Sequence, residues 1–153
     1  MEEYNDFDKL TLILSENKIS SLVDDSNGSN MKSFHKRLTK KNIPKIYVIK
    51  EGDLFLYIGV TSQSLTSRFR YGLNANGKNG YHGYKWKTNE RVQLYVWCLE
   101  TLNKEQIENI ESELVFIIRT KTGKWPLNQK EIHFNNEFDD GKVIAKKIFS
   151  QIQ

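Results

Sequence analysis

The sequence predicts an α+β fold, a small three-stranded antiparallel sheet flanked by helices, and three observations carry that expectation. KIYVIKEGDLFLYIG at 45–59 sets two short runs of β-branched and aromatic residues on either side of a glycine-containing turn, the pattern of an antiparallel hairpin. VQLYVWCL at 92–99 is an almost unbroken apolar run of strand length, suited to the centre of a sheet or a well-covered face. Ile107, Ile110, Leu114, Ile117 and Ile118 then recur at helical spacing between about Lys104 and Thr120. A chain of 153 residues is long enough to bury one core, so a single domain over 1–153 is expected.

Along the chain, KLTLIL and ISSLV in the first thirty residues are too short for periodicity to choose between helix and strand. Ser26-Asn27-Gly28-Ser29-Asn30 breaks the chain; Asn27-Gly28-Ser29 matches a glycosylation sequon by chance. From Met31, Phe34 and Leu38 share a helical face opposite Lys36, Arg37 and Lys40, and this short helix stops before Ile43-Pro44. The hairpin Ile46–Lys50 and Leu54–Gly59 follows. A three-residue Glu51-Gly52-Asp53 loop, with Lys50 opposite Leu54, would set Tyr47 directly across from Tyr57 on one face. Thr61, Ser62 or Ser64 can cap a helix that pairs Leu65 with Phe69. Gly72 to Gly83 reads as a loop, and the third strand and long helix follow it. Gly123 and Pro126 end that helix, and Asp139 or Asp140 can cap a last one at about 140–152.

No segment has the unbroken apolar length of a membrane span, and the acidic start MEEYNDFDKL is opposite in charge to a signal peptide. Together with the single cysteine, Cys98, this points to a cytoplasmic protein. His35, His82 and His133 lack metal-ligand spacing, so no structural zinc is expected. The net charge of +4 is unevenly spread. Residues 1–30 hold seven acids and two bases, residues 31–91 thirteen bases and three acids, and the remainder is nearly balanced. A basic middle third is what a polyanion-binding surface needs, because each neutralised phosphate releases counterions.

Lys-Ile-Tyr at 45–47, Tyr-Ile-Gly at 57–59, Arg68 one turn into the next helix, Glu113 in the long helix, then Pro126 and Asn128, resemble the GIY-YIG nuclease family. The resemblance spans about 43–133 and is closest to the compact stand-alone or restriction-type branch. It leaves an acidic N-terminal extension at about 1–30 and a C-terminal helix outside the module. The sequence departs from the pattern in three places. Lys45 replaces the leading glycine, the segment between the tyrosines is short, and the longer stretch after Glu113 leaves open whether Asn128 or Gln129 fills the asparagine position.

The resemblance implies hydrolysis of duplex DNA phosphodiesters with one Mg2+ or Mn2+ per active site. The sequence leaves the oligomeric state open, and cleavage of both strands by one site per chain would be easiest for a homodimer, even a transient one. Arg68 would be the bidentate cation where charge develops, and Glu113 the metal anchor. Tyr47 would serve as base only if Lys45, Arg68 or the metal stabilised its phenolate, and Tyr57 would orient water or phosphate. Gly59 would let the backbone turn into the helix. Arg68 borders the Leu65/Phe69 face, whereas Arg70 points away and is a candidate phosphate contact. Periodicity does not separate Glu111 from Glu113; the family spacing to Phe116-Ile117-Ile118-Arg119 favours Glu113.

The loop GYHGYKW at 80–86 could bring His82 or Tyr84 to the scissile phosphate and Lys85 or Trp86 to DNA. Lys36, Arg37, Lys40 and Lys45 complete the expected DNA-binding set, and Glu131 and His133 are supporting or structural. The competing expectation is a nucleic-acid-binding module of the same fold that has lost cleavage.

Overall fold

In the computed structural model the described residues are Tyr4, 6–129 and 137–153, so Glu131 and His133 lie outside them. The expected small three-stranded sheet is corrected to a six-stranded antiparallel one. Its strands are β1 (Phe7–Ser15), β2 (Lys18–Asp24), β3 (Ser29–Met31), β4 (Lys45–Glu51), β5 (Leu54–Thr61) and β6 (Arg91–Cys98), in the order β3-β2-β1-β6-β4-β5. Residues 7–31, most of them in the stretch expected to be an N-terminal extension, therefore supply three of the six strands. β1 pairs with β6 from Phe7↔Trp97 to Ile13↔Arg91. Alternation inside KLTLIL decides this. Leu10, Leu12 and Leu14 are buried on one face, a period of two that suits a strand.

Helices α1 (Lys36–Thr39), α2 (Leu65–Asn74), α3 (Lys104–Thr122) and α4 (Gly141–Gln151) cover both faces. Ile46, Val48, Phe55, Ile58, Tyr95 and Trp97 pack against α3 and α4. Tyr47, Ile49, Leu56, Leu94 and Val96 face α1, α2 and the loop that carries Tyr84 and Trp86. Both faces of β4 and β6 are thus buried, which is why their sequences read as nearly continuous apolar runs. The basic helix expected from Met31 is a single turn, because Met31 already belongs to β3.

The long helix α3 starts on a capping box between Asn103 and Gln106 and ends at Gly123 in the left-handed region, φ 77°. It buries Ile107, Ile110, Leu114, Val115 and Ile118. At about 1.5–3 kcal/mol per side chain this is roughly 8–15 kcal/mol of gross stabilisation before chain entropy is subtracted.

The hairpin register differs from the expectation. Glu51 pairs with Leu54, a two-residue turn with Gly52 at φ 58°, and by itself that turn would place Tyr47 and Tyr57 on opposite faces. The ladder shifts between Ile49↔Tyr57 and Lys50↔Phe55, so Leu56 is an extra residue on β5. This bulge returns Tyr57 to the face of Tyr47. The two are diagonal neighbours with ring centroids 5.9 Å apart, and Tyr47 stands opposite Gly59.

Candidate active site

On that face, an open cleft of about 370 Å³ collects side chains from separate elements: Tyr57 from β5, Arg68 from α2, Glu111 from α3, and Asn128 from the segment after α3. The loop after α2 adds Tyr81, His82, Tyr84 and Lys85. Tyr47 lies below, fully buried, its hydroxyl 2.9 Å from the Tyr84 hydroxyl.

The floor is aromatic. Tyr47, Tyr57, Phe69, Tyr84 and Trp86 stack, tilt or meet edge to face at 4.6–5.9 Å. Burial pushes the Tyr47 hydroxyl pKa well above its ordinary value, and burial also raises those of Tyr57 and Tyr84. All three are therefore neutral hydroxyls, donors and not bases, in this state.

Arg68 lies over the Tyr84 ring, its guanidinium carbon 5.0 Å from the centroid, and donates to the Tyr81 hydroxyl at 3.3 Å. Burial would lower its pKa, but electrostatic interaction with Tyr47 and Tyr84 and the hydrogen bond to Tyr81 outweigh that, and the net direction is up. It remains a fixed cation aimed at the cleft.

Gly59 has a different task from the one expected of it. It lies inside β5, opposite Tyr47, and does not turn the chain. A Cβ there would fall 2.3 Å from Tyr47 Cζ and 2.7 Å from Tyr57 Cε1. Gly72, expected in a loop, is inside α2 for the same kind of reason: its Cβ would meet Tyr84 Cε2 at 2.2 Å. Both glycines are spaces for tyrosine rings. Gly59→Ala should therefore cost roughly 1–3 kcal/mol of stability by overpacking. A chemical denaturation midpoint equal to wild type would contradict this packing.

The two candidate glutamates of α3 are placed differently. Glu111, not Glu113, lines the cleft; it is 5% exposed, and its charge acts on the Tyr57 hydroxyl. Glu111 follows Ile107 by four residues and precedes Leu114 and Ile118 by three and seven, so it belongs to the buried stripe, whereas Glu113 is half-buried off it. The available signal was an acid within an apolar stripe, where an unexplained polar residue is informative.

Of the remaining expected residues, His82, Tyr84, Lys85 and Asn128 line the cleft. Tyr84 and Trp86 are buried in the floor and do not offer free surfaces to DNA. Lys45 is also corrected: it is fully buried, and Nζ donates to the carbonyls of Lys40, Ile43 and Gln63 at 2.8–2.9 Å. Burial pulls its pKa down, and it fastens the chain before β4 to the loop after β5. Arg37 is held by Asp6 at 2.7 Å and Asp8 at 2.8 Å, so the acidic N-terminus occupies a group expected to meet phosphate. Lys36, Lys40 and Arg70 are exposed and outside the cleft.

The Asn128/Gln129 ambiguity divides into two tasks. Gln129 Nε2 donates to the Ile58 carbonyl and its Oε1 accepts from the Ile58 amide, sealing the edge of β5. Asn128 binds that edge through its backbone, its N–H donating to the Leu56 carbonyl at 2.8 Å.

Residues 54–89, which include α2 and the loop, hold five Lys and Arg residues and no carboxylate. Comparison with family models, curated proteins and solved structures returns no match. Among the described residues no helix is long and apolar enough to cross a membrane, and no group of three or more His, Cys, Asp or Glu is placed to hold a metal ion.

Proposed function

We propose that this chain is a GIY-YIG-like endonuclease that hydrolyses DNA phosphodiester bonds with one divalent metal ion. The observation that carries the reading is the meeting of a guanidinium, a carboxylate and a tyrosine hydroxyl, from α2, α3 and β5, on one open cleft. A single carboxylate facing such a cleft fits Mg2+ or Mn2+, which keep most of their waters and take one or two protein ligands beside phosphate. An ion held by Glu111 would supply Lewis acidity to the phosphate.

The chain's own groups do the rest. Arg68 binds the non-bridging oxygens and gains strength as charge accumulates on them, because its position over Tyr84 is set before substrate arrives. Tyr57, its proton retained, donates a hydrogen bond to phosphate or to the attacking water. His82, exposed on the cleft wall, offers an imidazole nitrogen to receive the proton of that water. Lys85 on the rim meets a flanking phosphate, and Asn128 lines the same cleft. Tyr47 is a positioning residue that holds the Tyr84 hydroxyl, and through it the surface under Arg68.

A second reading, a binding module without cleavage, is favoured by the burial of Tyr47, which removes the tyrosine first expected to act as base. Plasmid nicking separates the two. Cleavage with Mg2+ or Mn2+ and none with chelator is the expected result. Binding with no cleavage of any DNA or RNA under any divalent ion would favour the second reading, and cleavage in chelator would overturn the metal's role.

A further inference from the structure

Beside the cleft is a second hollow of about 600 Å³, lined by residues that include Arg70, Tyr71, Asn74, Lys78 and Tyr81. Tyr81 belongs to both hollows and is tied to the cleft by Arg68, which donates to its hydroxyl. The Tyr71 ring stacks on Tyr81 with centroids 4.7 Å apart and planes at 18°, yet Tyr71 remains 63% exposed. Every other tyrosine among the described residues is buried or half-buried. Arg70 and Lys78 flank the pair, both exposed, in the stretch that contains no carboxylate.

We infer that this hollow takes an unpaired nucleic-acid base stacked on Tyr71, with Arg70 and Lys78 on the adjoining phosphates. The inference rests on the nuclease reading and narrows its substrate to one with unpaired nucleotides next to the scissile phosphate. Inside a duplex both faces of a base are occupied by its neighbours, so only an unstacked base can extend the Tyr81–Tyr71 stack. Cations beside an aromatic platform are the combination that tracks a single strand without reading its sequence. The cleft supplies the reacting groups, and the platform would hold the strand next to them.

The test measures affinity with calcium in place of magnesium, for a paired duplex, the same duplex with a single-stranded tail, and that tail carrying abasic sites. Tyr71→Ala should bind the tailed duplex about 5- to 150-fold more weakly than wild type, and the paired duplex within about twofold. Tyr71→Phe should keep wild-type affinity. The abasic tail should weaken wild type by a similar factor while adding little to Tyr71→Ala, since both changes remove one contact. The platform is overturned if Tyr71→Ala binds the tail as wild type does, loses affinity equally for paired DNA, or adds its effect to that of the abasic tail. A wild-type chain that binds none of these DNAs overturns the nuclease reading itself; magnesium-dependent cleavage with no Tyr71 effect overturns only the platform.

Discussion

Exchange of Glu111 for glutamine should lower the metal-dependent nicking rate by roughly 10²–10³-fold, while Glu113→Gln stays near wild type. The two acids are separated by what surrounds them: Glu111 lines the cleft beside Tyr57, and Glu113 lies off the buried face of α3. Glutamine keeps the volume and removes the charge. The fold should therefore tolerate it, with a thermal midpoint at or slightly above wild type, because a buried neutral amide is easier to desolvate than a carboxylate. DNA affinity in calcium should be unchanged or higher where the metal contributes little to binding, since one negative charge leaves the phosphate site. Loss of cleavage in Glu113→Gln with retention in Glu111→Gln would restore the assignment expected from sequence spacing. Full activity in both would remove the carboxylate-anchored metal from the reading.

Arg68→Ala should differ in kind, losing about 10²–10³-fold in turnover together with some affinity. The guanidinium meets phosphate in the ground state and more strongly as charge develops, so both quantities fall, and the salt slope of duplex binding should drop by about 0.9. The variant also loses its contact over Tyr84 and the bond to Tyr81, which should cost about 1–2 kcal/mol of stability. Arg68→Lys separates charge from geometry. It keeps the cation without the planar fork, so affinity should largely return while turnover stays low. Recovery of turnover to near wild type in Arg68→Lys would mean that a point charge suffices there.

Much of the cleft was legible because its residues belong to local patterns. Tyr57 and Arg68 sit in a strand and helix whose apolar neighbours announce them, and both line the cleft. The cations were harder to read, because a sequence shows charge but not the partner. Lys45 and Arg37 count as positive charge in the basic third, yet one is enclosed by three carbonyls and the other is paired with Asp6 and Asp8 near the N-terminus.

The sequence by itself determined the α+β class, the hairpin of β4 and β5, the helix at Lys104 and its glycine stop, and the uneven charge, since each depends on near neighbours or simple composition. Tertiary structure decided the width of the sheet, because pairing Leu10 with Leu94 is a contact between distant residues that no local period encodes. It also decided which acid of α3 faces the cleft and why Gly59 is glycine, since both depend on side chains from another element. The shared face of Tyr47 and Tyr57 was anticipated for a different reason: the turn has an even count, and one bulged residue, Leu56, reverses its consequence through the two-residue periodicity of a strand.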